Sequence, residues 1–130
     1  MIDHVSIGVG DLAAAAKFYD AVLGAIGYKK MDDREMTVGW GKPGRHSEFW
    51  INARPGMKKI PDDCGTHICL RAPDTKSVNA FHAAALQAGG VSDGAPGPRP
   101  EFGEGYYAAF ISDPDGNRIE AVTFVKNISA

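Results

Sequence analysis

Four side chains able to bind a divalent cation stand at related places in the two halves of this 130-residue chain: His4 and Glu48, then His67 and Glu120. Two imidazole nitrogens and two carboxylate oxygens suit a borderline divalent ion and leave room for water or substrate. The histidines lie 63 residues apart (67 − 4), and at the same offset Asp11 answers to Asp74, Phe18 to Phe81, Leu23 to Leu86 and Gly27 to Gly90. A histidine near a chain start is ordinarily a surface or capping residue. Its repetition at the head of a second, similarly patterned segment makes a metal centre the first hypothesis, because units paired about a pseudo-twofold axis can bring the two imidazoles together.

The elements that must position these groups are legible from periodicity. Ile2 to Val9 alternates, with Val5, Ile7 and Val9 on one face and His4, Ser6 and Gly8 on the other. Asp11 reads as the N-cap of a helix from Leu12 to about Leu23, and Asp74 as the cap of a second from about Thr75 to Ala88. Shorter strands are predicted at Tyr28–Met31, Met36–Trp40 and Glu48–Ala53, and Arg54 to Gly65 reads as a linker. In the second half His67–Ala72 is a strand, and Ala95–Pro100 reads as a Pro/Gly-rich connector. Tyr106–Ser112 and Arg118–Phe124 form a hairpin around Asp113-Pro114-Asp115-Gly116-Asn117. The chain is therefore α+β: two tandem β-α-β-β-β modules, about 1–53 and 66–125, building a curved, half-barrel mixed sheet within one domain.

Period-two alternation turns Glu48, Trp50 and Asn52 toward the cleft, and likewise Arg118 and Glu120. A slip of one residue would leave Glu48 as a solvated edge charge. His46 stands beside it and could substitute for it, although it reads first as part of the Lys42–Arg45 turn; His82 projects from a helix as a surface or packing residue. Cys64 and Cys69 form no zinc motif and no disulfide framework. Aromatic residues ordinarily fill a core, but Trp50, on the Glu48 face, and Tyr107 are candidate substrate contacts, with Asn52 and Arg71.

Composition excludes several classes of function. Net charge is −2 with no basic run, so neither nucleic acid nor an anionic membrane surface is an expected partner. The apolar stretch Leu12 to Ala16 is far short of the roughly 20 residues of a membrane span. A cytoplasmic location is the default.

Taken together, His4-Val5-Ser6-Ile7-Gly8-Val9-Gly10-Asp11-Leu12, Phe18-Tyr19-Asp20-Ala21-Val22-Leu23-Gly24 and the closing Asp113-Pro114-Asp115-Gly116-Asn117-Arg118-Ile119-Glu120 resemble the vicinal oxygen chelate superfamily. That superfamily includes glyoxalase I, extradiol dioxygenases and bleomycin-resistance proteins. The resemblance to glyoxalase I implies metal ligands at His4, Glu48, His67 and Glu120. It further implies a lyase or isomerase that works through an enediolate on a small carbonyl compound or its glutathione hemithioacetal, with Glu120 moving the proton. The implied cofactor is Ni2+, Co2+, Zn2+, Mn2+ or Fe2+. The implied assembly is a homodimer, its site either within one chain or shared between module one of one subunit and module two of the other.

Departures narrow the choice. Where glyoxalase I of this kind holds glutathione with an arginine, the chain has Gly8; Arg71 stands at the matching place of the second half (71 − 8 = 63), and Asn52 matches a glutathione-contacting asparagine. The dioxygenase pattern needs His4, His67 and Glu120 as an iron triad, but its tyrosine position is Phe110 and no histidine lies between Ala83 and Glu120. A metal-free sequestering protein of the bleomycin-resistance type needs none of the four ligands.

Overall fold

The computed structural model describes residues 1–126. Module one runs β1 (Val5–Val9), α1 (Leu12–Gly24), β2 (Lys29–Asp33), β3 (Thr37–Gly41) and β4 (Phe49–Ala53). Module two runs β5 (Ile68–Arg71), α2 (Thr75–Gln87), β6 (Val91–Pro98), β7 (Tyr106–Ser112) and β8 (Arg118–Phe124). Each module is one mixed four-stranded sheet, ordered β1-β4-β3-β2 and β5-β8-β7-β6. In both, the first strand pairs in parallel with the last and the remaining pairs are antiparallel. The expected β-α-β-β-β duplication is present.

Both helices start as their sequences dictate. Asp11 accepts a hydrogen bond from the Ala14 amide at 3.1 Å and Asp74 from the Ser77 amide at 2.7 Å, each satisfying a donor the first turn leaves open. Phe18 and Phe81, 63 residues apart, are both buried. The repeat relaxes at the next pair, where Leu23 is buried and Leu86 exposed.

One segment differs from its expectation. Ala95–Pro100, which reads as a connector, continues β6 as far as Pro98. The strand is an outer one, paired only with β7, and its register shifts between Ser92 and Gly94 and again between Gly94 and Gly97. Proline costs no ladder bond on a free edge, so Pro96 and Pro98 are tolerated there. Turn-forming composition hides such a strand.

The two modules are tied together by the β7–β8 turn. Asp113 Oδ1 accepts from the backbone amides of Asp115 (3.0 Å) and Asn117 (2.8 Å), which shapes the turn. Its Oδ2 accepts from the Asn117 amide side chain (2.9 Å) and, across the module boundary, from the Tyr19 hydroxyl of α1 (2.6 Å). Asn117 Nδ2 also donates to the Gly8 carbonyl at 3.0 Å, and the Gly10 amide donates to Asp115 Oδ1 at 3.1 Å, so the turn holds the end of β1. Gly116 adopts φ +91°, and a Cβ there would stand 2.8 Å from the Ile60 carbonyl, which reserves the position for glycine. Tyr19 itself packs among Phe18, Trp40 and Phe49, with ring centroids at 5.0, 6.0 and 5.1 Å.

Burial pushes the Asp113 carboxyl above its usual range, against the pull of the Tyr19 and Asn117 donors, and burial beside Asp113 pushes the Tyr19 phenol well above its own. Tyr19→Phe removes a donor from a buried carboxylate and is expected to cost about 1.5–3 kcal/mol in denaturant unfolding. Because the folded phenol resists ionisation, its contribution to the parent's stability is fully present below about pH 10 and is lost as pH rises above it. Tyr19→Phe should flatten that alkaline decline, which unfolding midpoints measured across the alkaline range will show.

Candidate functional site

On β8, Arg118, Glu120 and Phe124 alternate with residues that face α2. Glu120 stands opposite Cys69 of β5 and Phe110 of β7. It is 2% exposed, an expensive position for a carboxylate unless its lone pairs are used. They are: Oε1 lies 2.9 Å from Nε2 of His67, and Oε2 accepts from the Tyr106 hydroxyl. His67 and Glu120 are thus held in hydrogen-bond contact, and both are side-chain types that would hold a divalent cation. The His67 side chain is half-exposed, its ring 6.3 Å from that of Phe110, beside a cavity of about 220 Å³ lined also by Asp93 and Arg118.

The first module presents a different cleft. His4 Nδ1 lies 2.8 Å from Asp3 Oδ2, and His46 Nε2 lies 2.9 Å from Asp3 Oδ1, so one carboxylate bridges two imidazoles. The bond from His4 is the main cause that holds the Asp3 carboxyl below its ordinary range. A cavity of about 500 Å³ opens here among His4, Ser6, Arg34, His46 and Trp50, with the Arg34 guanidinium 5.0 Å over the Trp50 ring. None of its lining residues is shared with the His67 cavity.

Glu48 does not follow the alternation expected of it. The strand begins only at Phe49, which is buried on the helix side, while Ser47 already faces the cleft, its Oγ bonded to Asp32 at 2.6 Å. A Cβ on Gly39 would meet both Ser47 and Trp50, which therefore flank one spot on the cleft side. Between them the half-buried Glu48 sits near Tyr28, whose phenol is pushed up first by burial and then by the Glu48 charge. The sheet registers show what stands in the cleft instead. Ser6, two residues after His4, pairs with Trp50; Cys69, two residues after His67, pairs with Glu120. Trp50 thus holds in module one the place that Glu120 holds in module two.

The other candidates divide. Asn52 Nδ2 donates to Ser6 Oγ at 2.8 Å and to the Ile7 carbonyl at 3.0 Å, so its amide nitrogen is spent on β1, while Oδ1 is buried without a partner among the described residues. Arg71 stands at the rim of the Glu120 face, 5.1 Å over the Phe124 ring, which packs edge-on against Tyr106 at 5.4 Å. Tyr107 is on the opposite side of β7, where its hydroxyl donates to Asn79 of α2 at 2.7 Å. Tyr106 takes the cleft place, for it has the parity of Phe110 and pairs with Phe124. Counting back by twos from Phe110 would have found it. His82 bonds Ser92 at 2.7 Å, away from both clefts. Among the described residues, no group of three histidine, cysteine or acidic side chains is placed to hold a metal ion.

The model of the glyoxalase/bleomycin resistance protein/dioxygenase superfamily matches residues 1–121. The chain belongs to that superfamily. A glyoxalase/bleomycin resistance protein from Albidiferax ferrireducens T118 is 32% identical, with 92% of this chain and 96% of that one covered at a TM-score of 0.78. A point variant of glyoxalase I from Zea mays is 25% identical at a TM-score of 0.67, and this chain, 92% covered, spans 45% of it. A glyoxalase/bleomycin resistance protein/dioxygenase family enzyme from Burkholderia phytofirmans PsJN shares the fold at 17% identity and a TM-score of 0.68, over 95% of this chain and 98% of that one. No curated protein matches the chain.

Within this superfamily member, Cys69 occupies the Glu120 face, open to solvent on one side. Crowding of its sulfur away from water, then the neighbouring Glu120 charge, push the thiol up to about 12. The thiolate is the reactive form, so alkylation of Cys69 in metal-free protein should stay slow at neutral pH and accelerate only in strongly alkaline buffer. Mass-spectrometric labelling against pH checks this, with Cys64 as the exposed comparison; fast labelling of Cys69 at neutral pH would contradict it.

Proposed function

We propose that the chain is a metal-dependent lyase or isomerase of the glyoxalase kind. In this reading it moves a proton at the carbon next to a carbonyl in a small substrate, with Glu120 as the base. The observation that carries it is the state of Glu120: nearly sealed from water, yet on a cleft face and gripped by His67 and Tyr106. A carboxylate so held is oriented before substrate arrives, as general-base chemistry needs. In that role the Glu120 carboxylate takes the carbon-bound proton, while the Tyr106 hydroxyl on Oε2 keeps the group from rotating.

The donor chemistry fits a divalent cation. His4, His67 and Glu120 supply two imidazoles and a carboxylate, and Trp50 fills the place of a second carboxylate, so we assign a three-donor set with Glu48 outside it. When bound, the cation supplies positive charge beside the substrate oxygen on which negative charge develops. Trp50 and Arg71 would contact the substrate, which is a small carbonyl compound or its glutathione conjugate.

The set closes only in a homodimer, with module one of one chain against module two of its partner. Support comes from the edges: β1 and β5 are both outer strands, and Val5, Ile7, Ile68 and Leu70 along them are left half-buried. The separation of the His4 and His67 cavities within one chain favours the same arrangement.

Metal analysis after reconstitution with nickel, cobalt, zinc or manganese should find about one ion per site, two per dimer. His67→Ala should lose metal and turnover together, and His82→Ala neither. Glu120→Gln should lower kcat by roughly 10²- to 10⁴-fold; an unchanged rate would remove it from the mechanism. Protein that takes up no ion but binds a ligand tightly would instead be the sequestering type, a reading favoured by the scattered donors of the single chain. Oxygen uptake with a catechol would mark the three-donor set as that of a dioxygenase.

A further inference from the structure

Arg99 closes the Glu120 face on the side away from β5. It follows β6 directly, and its guanidinium lies 5.6 Å over the Phe110 ring. Two glycines of β6 make room for it. A Cβ on Gly94 would stand 3.3 Å from Nη2, and one on Gly97 would stand 3.3 Å from Nη1. The guanidinium is also aimed by the backbone, with Nη2 donating to the Ala95 carbonyl at 2.7 Å and Nη1 to the Pro98 carbonyl at 3.4 Å.

These contacts orient the charge without neutralising it. Among the described residues no carboxylate lies within 4.0 Å of Arg99, whereas Arg34 has Asp32 at 3.6 Å and Arg118 has Asp62 at 3.7 Å. Asp93, on the same strand, gives an oxygen to the Ser112 hydroxyl. Of five guanidinium donors, two are satisfied by carbonyls and the rest remain for a ligand. The register fixes the spacing. Phe110 pairs with Gly94 on one side and Glu120 on the other, which sets the Arg99 cradle two strands from Glu120, roughly 10 Å.

We propose that Arg99 is a fixed receptor for an oxyanion of the substrate, a carboxylate or a phosphate, held across the Phe110 ring from Glu120. The assignment rests on the reading of the Glu120 face as the substrate cleft, and it narrows the substrate to anionic carbonyl compounds. A planar, always-charged fork stacked on an aromatic ring and stripped of acidic partners favours such a group over a neutral one.

Calorimetric titration of chelator-treated, metal-free protein tests it, with benzoate, phenylphosphonate and benzamide as probes. At least one anion should bind at millimolar concentration, and benzamide about tenfold more weakly or not at all. Arg99→Gln should weaken the anion about tenfold, and Arg45→Gln, in a remote turn, should not. Gly97→Ala keeps the charge but crowds Nη1, so it should also weaken binding even if Arg99→Gln fails to fold. Whichever anion binds more tightly tells a carboxylate substrate from a phosphorylated one. Binding of benzamide as tight as that of the better anion, undiminished anion affinity in folded Arg99→Gln, or binding of neither anion would overturn the assignment. The protein carries no metal in this experiment, so failure of the metal reading leaves its result standing, and failure here leaves metal uptake untouched.

Discussion

The buried carboxylate of Asp113 accepts four hydrogen bonds, and the geometry of both clefts depends on them. Two of the donors are backbone amides of its own turn, which fix the exit of β7 and the entry of β8. A third is the Tyr19 hydroxyl, delivered from the middle of the module-one core. A carboxylate without these donors could not stay in so dry a place. The same turn reaches the Gly8 carbonyl and the Gly10 amide, so the strand carrying Glu120 and the strand that follows His4 are indexed against one another. Module two therefore rests on module one through a few directed bonds as well as apolar contact between the helices.

Duplication supplied two equivalent faces, and the chain uses them differently. In module two the central position carries a carboxylate bonded to an imidazole and a phenol. In module one the equivalent position carries Trp50 under a guanidinium. One face thus carries a carboxylate in contact with an imidazole and a phenol, the other an aromatic wall with a histidine above it. A cleft formed from both would join reactive groups on one side to a surface suited to a flat or apolar substrate part on the other. Among the described residues Arg71 and Arg99 flank the Glu120 face without an ion-pair partner, an arrangement that suits a ligand bringing negative charge.

Much of this was readable in the sequence. The histidine repeat, both aspartate caps and the Asp113–Asn117 turn are local signals whose chemistry needs no knowledge of distant contacts. They located both helices and the β7–β8 hairpin at their observed positions. Glu120 was legible because that hairpin pins its register. Glu48 was not, because the chain ahead of β4 breaks its alternation at Ser47, which bonds Asp32 on the cleft side, a contact with a residue 15 positions away. The cleft place of Tyr106, in contrast to Tyr107, follows from its parity with Phe110 along β7, and Arg99 follows a segment whose prolines and glycines spell a loop.

Local chemistry in the chain by itself determined the repeated module, its caps and turns, and which residue types could serve as ligands, since those depend on neighbours a few positions away. Only the tertiary structure decided which residues are equivalent. The offset of 63 that relates the histidines becomes 70 between Trp50 and Glu120 (120 − 50), because the second module is longer between its helix and its last strand. Strand pairing is set by hydrogen bonds across the sheet and ignores such insertions. For that reason the register alone reveals a tryptophan where the repeat would put a second carboxylate.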